Sequence, residues 1–412
     1  MSESPPPSRT QMLTRVVPPD RTGRIAMLMS CGLMLLCFLP VSACCFGTIF
    51  LEMGLSVTNG LAEGNLGPAA LLFFSALVAV TFAIPHLLTI LWLDRNEKEP
   101  VLLLATAFIW GIIMAVPPSI VVNELTKGLF LGLVLPHHGL AGQFTASFSA
   151  PLIEEVSKGM ALLFIYLFFS KHFDNVLDGI IYGAMVGLGF AVFENFLYYM
   201  QQGDLVAAAG LSFWRGILAS VGSHSAFTAM TGASIGLFRV MRAGPGRWFI
   251  PPLGLFMAIF AHFLWNTFSC CFMAPFAEAG WWLQTLVGLP LAVIGLQLPF
   301  VIVIAVTVAF ALRHERKLIE KYLKDERESI MSPDELYRLV PARRRTLHSL
   351  KLVFTGQLGS YWRTRKRNGL LVKLAFERWH MDQEDALGDE QAAHFHALRV
   401  TEIRRTLRAN PL

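Results

Sequence analysis

The chain has 412 residues, of which 54% are hydrophobic and only 15% charged, and its mean hydropathy is +0.53. Soluble domains are closer to about 25% charged, so this composition excludes an ordinary soluble protein and indicates a chain that crosses a membrane several times. The net charge of +5 is concentrated in a few loops and the C-terminal tail. That distribution is typical of membrane orientation and not of nucleic-acid binding. The six cysteines lie in apolar runs, show no zinc-type spacing and predict no disulfide framework.

The predicted elements are eight membrane-spanning helices between two polar ends. Residues 1–24 are proline-rich and are expected to form a disordered cytoplasmic N-terminus. A transmembrane bundle over 25–312 follows, with spans at about 25–47, 68–93, 101–122, 145–169, 177–200, 213–240, 249–273 and 283–312, each near the roughly 20 residues needed to cross the hydrocarbon. Residues 313–412 form a basic, helical cytoplasmic tail, with a helix start predicted at Ser332-Pro333-Asp334-Glu335. The sequence therefore predicts an all-α polytopic membrane protein.

One alternative concerns the first span. Val41-Ser42-Ala43-Cys44 is similar to a lipoprotein cleavage site, which would make that span a signal peptide. The long basic leader and the seven later spans favour a membrane anchor instead.

Orientation is predicted from the lysines and arginines in the short loops. The N-terminus, the loop of Arg95 and Lys98, Lys171 and the loop of Arg239, Arg242 and Arg247 are basic. The loops near Glu52–Asn65, Gln201–Ser212 and Pro275–Gly280 have no lysine or arginine, and the loop over 124–144, which holds His137 and His138, has only Lys127.

This alternation predicts both termini in the cytoplasm. The tail from Arg313 onward holds 21 of the 34 lysines and arginines. Its basic clusters could contact anionic lipids, but a solvated tail is the simpler interpretation.

Three charges in five residues interrupt the fourth predicted span, at Glu154, Glu155 and Lys158. A charge at the bilayer centre costs at least roughly 2.5–3.5 kcal/mol by insertion scales, so the group requires a reason. At about 100° per residue Lys158 falls between the two glutamates, one turn further along the helix. One ammonium can therefore screen both carboxylates and leave one net negative charge on that face.

The next three spans also carry polar or ionisable residues. Glu194 has Tyr198 one turn on, able to donate a hydrogen bond to it; His224 lies in the sixth span, and His262 and Asn266 share a helix face in the seventh. At 1.5 Å per residue, the members of this set lie roughly 9–16 Å from the outer surface. Agreement in depth favours a shared function, whereas His86 alone is expected to be a packed core residue. The glycines at Gly179, Gly183, Gly187, Gly232 and Gly236 predict close helix packing.

The residue types indicate hydrolysis without a covalent intermediate. Ser157 and Ser225 do not lie in a nucleophile-elbow motif, and no His-Glu-x-x-His motif is present. Two glutamates and two histidines could bind a divalent zinc, although Lys158 already supplies a counter-charge and makes a metal less necessary. A carboxylate that activates water, a histidine that transfers the proton and an asparagine that stabilises an oxyanion form a complete set for amide hydrolysis.

The motifs Glu154-Glu155-x-x-Lys158, Asp178-Gly179-x-x-Tyr182-Gly183, Phe193-Glu194-Asn195, His224-Ser225 and His262-x-x-Trp265-Asn266 resemble PrsW-type intramembrane proteases. These proteases belong with the CAAX prenyl proteases in a superfamily of glutamic intramembrane proteases. The resemblance covers about 145–270. It implies an all-helical protease core over 145–273 with a cavity open to lipid or water, in a bacterial plasma membrane.

The resemblance also implies residue roles. Glu154 would be the base, and Glu155 with Lys158 the supporting pair. His224 would assist the water, and His262 with Asn266 would form the oxyanion site. Glu194 follows the PrsW pattern and joins the catalytic set, with Tyr198 in support.

The sequence thus predicts an intramembrane endopeptidase of the glutamic type that cleaves a membrane-associated protein or peptide, with no cofactor required and a divalent metal left open. Its expected partners are that substrate and the lipid bilayer. One alternative is a proton- or ion-coupled transporter that uses the glutamates and His224 as a relay. Another is a non-catalytic membrane scaffold.

Overall fold

The computed structural model describes residues 29–32, 39–133, 138–218, 224–241, 244–272, 278, 280–326, 330–388 and 390–409. In this part of the chain all regular structure is helical, which confirms the predicted fold class. The described residues fall into two compact units, one within 31–311 and one within 312–412 that also includes Met29 and Ser30. The N-terminal segment 1–24, His137 and Arg242 lie outside the described residues.

The membrane unit is a succession of helices joined by short turns. Its α-helices are α1 (Leu39–Ala62), α2 (Gly67–Leu93), α3 (Val101–Trp110), α4 (Val116–Leu133), α5 (His138–Phe144), α6 (Ala150–Phe168), α7 (Val176–Met200), α8 (Leu205–Ser212), α9 (His224–Val240), α10 (Ile250–Thr267), α11 (Trp281–Leu283), α12 (Leu289–Ala292) and α13 (Leu298–Lys324). Wider π-helical turns connect or extend them at Gly111–Ala115, Thr145–Ser149, Phe213–Leu218, Phe268–Phe272, Gln284–Gly288 and Val293–Gln297.

Six helices of the described chain are long and apolar enough to cross a membrane: Ser42–Ala62, Gly67–Leu93, Val101–Leu129, Val176–Met200, Pro245–Phe272 and Leu286–Lys324. The count of eight stays a prediction. The helix at the predicted fourth span carries three charges, and the predicted sixth span includes residues 219–223, which lie outside the described part.

The predicted end of the first span is wrong. The sequence pattern predicts a loop near Glu52–Asn65, whereas α1 continues to Ala62. The chain turns only at Gly64, whose φ of 74° is a left-handed conformation that glycine adopts without strain. Glu52 is the only charged residue between positions 42 and 62, so nothing in that stretch opposes a helix.

The helix α7 is the most enclosed of these helices. Of its most apolar window 89% is buried inside the protein, against 6% for Ser42–Ala62. Its first turn is fixed by a reciprocal cap, in which the Asn175 side chain accepts from the backbone N–H of Asp178 and the Asp178 carboxylate accepts from that of Asn175. The helix packs against α9, α2 and α3, so residues at both of its ends are buried.

Glycines allow α7 and α9 to touch backbone to backbone. A Cβ atom at Gly179 would lie 2.0 Å from the Gly232 carbonyl oxygen, and one at Gly187 would lie 2.2 Å from that of His224. Both distances are far inside van der Waals contact, so only glycine permits this packing. The close approach brings the first turn of α9, which contains His224, beside the part of α7 that contains Glu194.

The second unit is a small helical domain with its own core. It continues from α13 through α14 (Pro333–Leu339), α15 (Ala342–Phe354), α16 (Leu358–Leu387) and α17 (Glu390–Ala409). The Ser332 hydroxyl accepts from the Glu335 N–H at 3.2 Å, so α14 begins where the sequence predicts a helix start. The core includes Leu323, Leu336, Leu371, Phe376 and Ile403. It holds α13, α14, α16 and α17 together.

Candidate active site

The three charges of α6 are completely buried. Glu154 is 6% exposed, and Glu155 and Lys158 are 0% exposed. The Lys158 ammonium lies 2.6 Å from Glu155 Oε1 and 4.0 Å from Glu154 Oε2. The ammonium therefore lies between the two glutamates, as the helical spacing requires, and of these two it is hydrogen-bonded only to Glu155.

Both oxygens of Glu155 are occupied by partners from other helices. His262 Nδ1 of α10 lies 3.0 Å from Glu155 Oε1, and the Thr228 hydroxyl of α9 donates to Oε2 at 3.1 Å. An imidazole that bonds to a carboxylate through Nδ1 carries its proton there, which leaves the Nε2 lone pair free. That Nε2 atom lies 3.8 Å from Glu154 Oε2.

A second chain of bonds runs from Lys158 to the end of α7. Lys158 Nζ lies 3.0 Å from His224 Nδ1, and His224 Nε2 lies 2.8 Å from Glu194 Oε2. An ammonium can only donate, so Nδ1 is the acceptor and Nε2 carries the proton that is donated to Glu194. The ammonium also lies over the Phe190 ring, 4.1 Å from its centroid. These contacts fix the tautomer and the orientation of His224.

Arg215 completes the site, and it is absent from the set that the sequence predicts. It lies on the π-helical turn Phe213–Leu218, and its guanidinium donates to Glu194 Oε2 at 2.7 Å and to Asn195 Oδ1 at 2.8 Å. It also stacks on the Tyr198 ring at 4.0 Å. A lone arginine in a predicted span is a signal that could have identified it. Arg215 takes the place beside Glu194 that was predicted for Tyr198, whose side chain instead supports the guanidinium.

Asn266 is tied to α6 rather than to the histidines. Its side-chain N–H donates to the carbonyl oxygen of Ala146 at 2.9 Å. Ala146 belongs to the π-helical turn before α6, and such a turn leaves a carbonyl without its usual helical partner. One amide N–H of Asn266 is used in this bond, and the other makes no hydrogen bond to the described residues.

We call the set Glu154, Glu155, Lys158, Glu194, Arg215, His224 and His262 the Glu154 site. It contains three carboxylates, two permanent cations and two imidazoles. Glu155 and Glu194 each bond to a cation and to an imidazole. Glu154 Oε2, in contrast, is buried and accepts no hydrogen bond from the described residues. Of the carboxylate oxygens in this set, Glu154 Oε2 is thus the one that is buried without a donor among the described residues.

A divalent cation fits the donor set at this point. Glu154, His224 and His262 each offer one ligand atom, and these atoms lie within 4.8 Å of one another. One carboxylate and two imidazoles, with a fourth position for water, form the ligand set of many catalytic zinc sites. His262 meets a further requirement, because a ligating histidine usually donates its other N–H to a carboxylate, as it does here to Glu155. His224 would have to exchange its bond to Lys158 or to Glu194.

The fold and the site thus define an integral membrane protein with a buried carboxylate–histidine centre. A sequence model of the family described as PrsW family intramembrane metalloprotease matches residues 99–307, which is half of the chain. The chain belongs to the PrsW family.

Individual relatives are bacterial proteins named Protease PrsW. The protein of Geobacillus kaustophilus is 32% identical over 145 residues, or 35% of this chain and 57% of the relative. That of Bacillus subtilis is 33% identical over 111 residues, or 27% and 46%. That of Halalkalibacterium halodurans is 28% identical over 220 residues, or 51% and 93%. The chain spans about half the length of the first two relatives, and no solved structure matches it.

Proposed function

We propose that this protein is an intramembrane endopeptidase that hydrolyses a peptide bond of a membrane-associated protein or peptide, with a water molecule activated by Glu154. The observation that carries the proposal is the unused acceptor, Glu154 Oε2, buried 3.8 Å from His262 Nε2. A buried carboxylate oxygen without a donor costs about 1–3 kcal/mol or more. A water O–H is the donor that such an oxygen requires, and it is also the reactant of hydrolysis.

The contacts separate the base from the supporting carboxylates. Glu155 is held by Lys158, His262 and Thr228, and Glu194 by His224 and Arg215. A carboxylate that already accepts hydrogen bonds from a cation and from other donors is a weak base, because protonation would weaken those bonds. Glu155 and Glu194 therefore act as positioning residues, and Glu154 is the base.

The proposed reaction needs two proton transfers. Glu154 Oε2 takes a proton from water as the water oxygen bonds to the scissile carbonyl carbon, and it returns that proton to the leaving nitrogen as the carbon–nitrogen bond breaks. His262 Nε2 accepts a hydrogen bond from the second O–H of the water and so orients the water. This assignment replaces the oxyanion role predicted for His262, since its proton is on Nδ1. The second N–H of Asn266 and the nearby Lys158 charge stabilise the oxyanion.

A metal-assisted reaction is the second candidate, because a metal would be held by Glu154 and His262, the residues to which water is assigned above. Glu154, His224 and His262 would hold the metal, and when bound it would polarise the carbonyl and balance the third carboxylate. The test is metal analysis of the purified protein by mass spectrometry, together with cleavage before and after chelation. Stoichiometric metal in the wild type that is absent from His262→Ala supports metal-assisted hydrolysis. Cleavage that survives complete chelation supports catalysis by the residues alone.

The proposal is tested by cleavage in proteoliposomes that contain purified single-span membrane proteins. Glu154→Gln keeps the size of the side chain and removes the base, so we expect about a 10²–10⁴-fold loss of cleavage rate. Glu124→Gln is the matched control, because Glu124 is an exposed carboxylate that forms a surface pair with Lys127. Its cleavage rate should equal that of the wild type. Undiminished cleavage by Glu154→Gln would rule out Glu154 as the base.

We further propose a bacterial plasma membrane with both termini in the cytoplasm. The bacterial relatives and the 21 basic residues of the tail support this placement. A green fluorescent protein fused after Leu412 should fluoresce, and an alkaline phosphatase at the same position should be inactive. The reverse pattern would place the tail outside.

A further inference from the structure

The helix α15 presents its apolar side chains to solvent. None of its residues is buried. Leu347, Leu350 and Phe354 follow one another at helical spacing and are 55%, 45% and 85% exposed. A helix that packs on a small domain normally turns such a stripe inward, so this outward orientation needs a partner.

The apolar surface continues past the end of α15. The chain turns at Gly356, whose φ is 72°, and α16 begins with Leu358 and Trp362 one helical turn apart. Leu358 is 55% exposed and Trp362 is 61% exposed. Two exposed apolar stripes therefore flank one turn, and we call residues 342–366 the α15–α16 surface.

The charges of this surface are all of one sign. Residues 342–366 contain no aspartate or glutamate, and their lysines and arginines are Arg343, Arg344, Arg345, Lys351, Arg363, Arg365 and Lys366. Burial and the charges of Arg338 and Lys351 lower the pKa of His348 below its usual value, so this side chain adds little positive charge to the surface. The surface thus combines exposed leucine, phenylalanine and tryptophan side chains with a dense positive charge.

We propose that the α15–α16 surface docks on the anionic headgroups of the bilayer that anchors the chain, with its apolar side chains in the interfacial layer. Basic helices with leucine, phenylalanine and tryptophan on the apolar face have the composition of interfacial membrane helices. A nucleic acid would be bound by the charges and would leave the apolar stripe in water. The tail follows a membrane-spanning helix in the chain, so the lipid surface is present at high effective concentration. This inference does not depend on the proposed protease activity.

The experiment uses the full chain in vesicles of phosphatidylcholine, with or without phosphatidylglycerol. The photoreactive amino acid p-benzoylphenylalanine replaces Phe354, and lipid adducts are measured by mass spectrometry after illumination. A matched probe replaces Glu402, an exposed residue of α17 in the same domain. We expect lipid adducts at position 354 in the phosphatidylglycerol vesicles, far fewer in phosphatidylcholine alone or in concentrated salt, and none at position 402.

A variant with three fewer basic residues distinguishes electrostatic docking from chance contact with lipid. Arg343, Lys351 and Lys366 are exposed, so R343Q/K351Q/K366Q should unfold at the same temperature as the wild type. Each basic residue near the membrane contributes about fivefold to the docking equilibrium constant, so the triple variant should lose about a hundredfold. The yield of lipid adducts should then fall to that measured in vesicles of phosphatidylcholine alone.

Three outcomes would overturn the proposal. One is an absence of lipid adducts at position 354 in phosphatidylglycerol vesicles. Another is an adduct yield that is equal in both lipids and in the triple variant. The third is crosslinking of position 354 to a protein in place of lipid.

Discussion

The buried carboxylates at the two ends of α7 have different partners, cationic at one end and neutral at the other. Glu194 near one end and Asp178 near the other are separated by about 24 Å along the helix. At the Glu194 end, carboxylates bond to Lys158 and Arg215. At the Asp178 end, the donors are neutral: backbone N–H groups and the Asn175 amide bond to Asp178, and the Tyr182 hydroxyl bonds to Glu99.

The difference shows in the protonation of Glu99. Burial raises the pKa of Glu99 well above its usual value, and the charges of Glu97, Asp174 and Asp94 raise it further although the Tyr182 hydrogen bond opposes the shift. The surroundings of Glu99 therefore favour the neutral form of its carboxyl group, which joins the start of α3 to Tyr182 of α7. At the Glu194 end, the permanent cations Lys158 and Arg215 stabilise negative carboxylates inside the membrane. A contact that only joined helices would not require such charges. Negative charge is thus stabilised by cations at the Glu194 end, where a reaction is proposed. At the Asp178 end, where the contacts only join helices, the neutral form is favoured.

The largest effect is expected when a cation of the Glu154 site is removed. Lys158→Met leaves Glu155 buried and without its closest partner, so we expect a loss of about 3–5 kcal/mol in the free energy of unfolding. Thermal unfolding in detergent measures the loss. Lys127→Met is the matched control, because Lys127 forms the same type of i, i+3 pair with Glu124 at the surface, at 3.6 Å, and should lose less than about 0.5 kcal/mol. Equal losses in the two variants would remove the distinction between buried and exposed charge.

The sequence predicts the members of the Glu154 site better than their contacts. Charged and polar residues are conspicuous in apolar spans. Their similar depth along the predicted spans is enough to group Glu154, Glu155, Glu194, His224, His262 and Asn266. The three glutamates and the two histidines meet in the folded protein, whereas Asn266 bonds to Ala146. Their roles as catalytic residues stay predictions.

The rotation of each helix, in contrast, cannot be predicted from the sequence pattern. A π-helical turn shifts every later side chain around the helix axis, and such turns carry Arg215 and precede α6. A prediction based on 3.6 residues per turn does not include that rotation. For this reason the pattern predicts neither the bond from Asn266 to Ala146 nor the replacement of Tyr198 by Arg215. The predicted end of α1 is wrong because the single charge at Glu52 is not a loop signal.

Two glycines of α7 provide a matched pair for a second test. Ala at Gly187 or at Gly179 would place a Cβ 2.2 or 2.0 Å from a carbonyl oxygen of α9, so each variant should lose about 1–3 kcal/mol of stability through overpacking. Only Gly187→Ala displaces the backbone of His224, so only this variant should also reduce the cleavage rate measured in proteoliposomes at a temperature where both remain folded. Gly210→Ala meets no atom within 4 Å and controls for helix propensity. Equal loss of cleavage in the Gly179 and Gly187 variants would mean that the ends of α7 do not act separately.

The smallest effect, and the sharpest test of the neutral end, is at Asp94. Burial raises the pKa of Asp94 from 3.8 to about 6, against the hydrogen bond from the Glu99 N–H and the charge of Lys98. The unfolded chain therefore ionises first, and stability falls as the pH rises from about 4 to about 6.

Asp94→Asn keeps an oxygen to accept the Glu99 N–H, at 2.9 Å in the wild type, and cannot ionise. We expect this variant to be about 1–2 kcal/mol more stable than the wild type near pH 7 and equal to it near pH 4, in thermal unfolding across that range. Glu124→Gln, at an exposed position, should show no such crossover. A variant less stable than the wild type near pH 7 would mean that Asp94 is charged and paired, and the two ends of α7 would then handle their carboxylates alike.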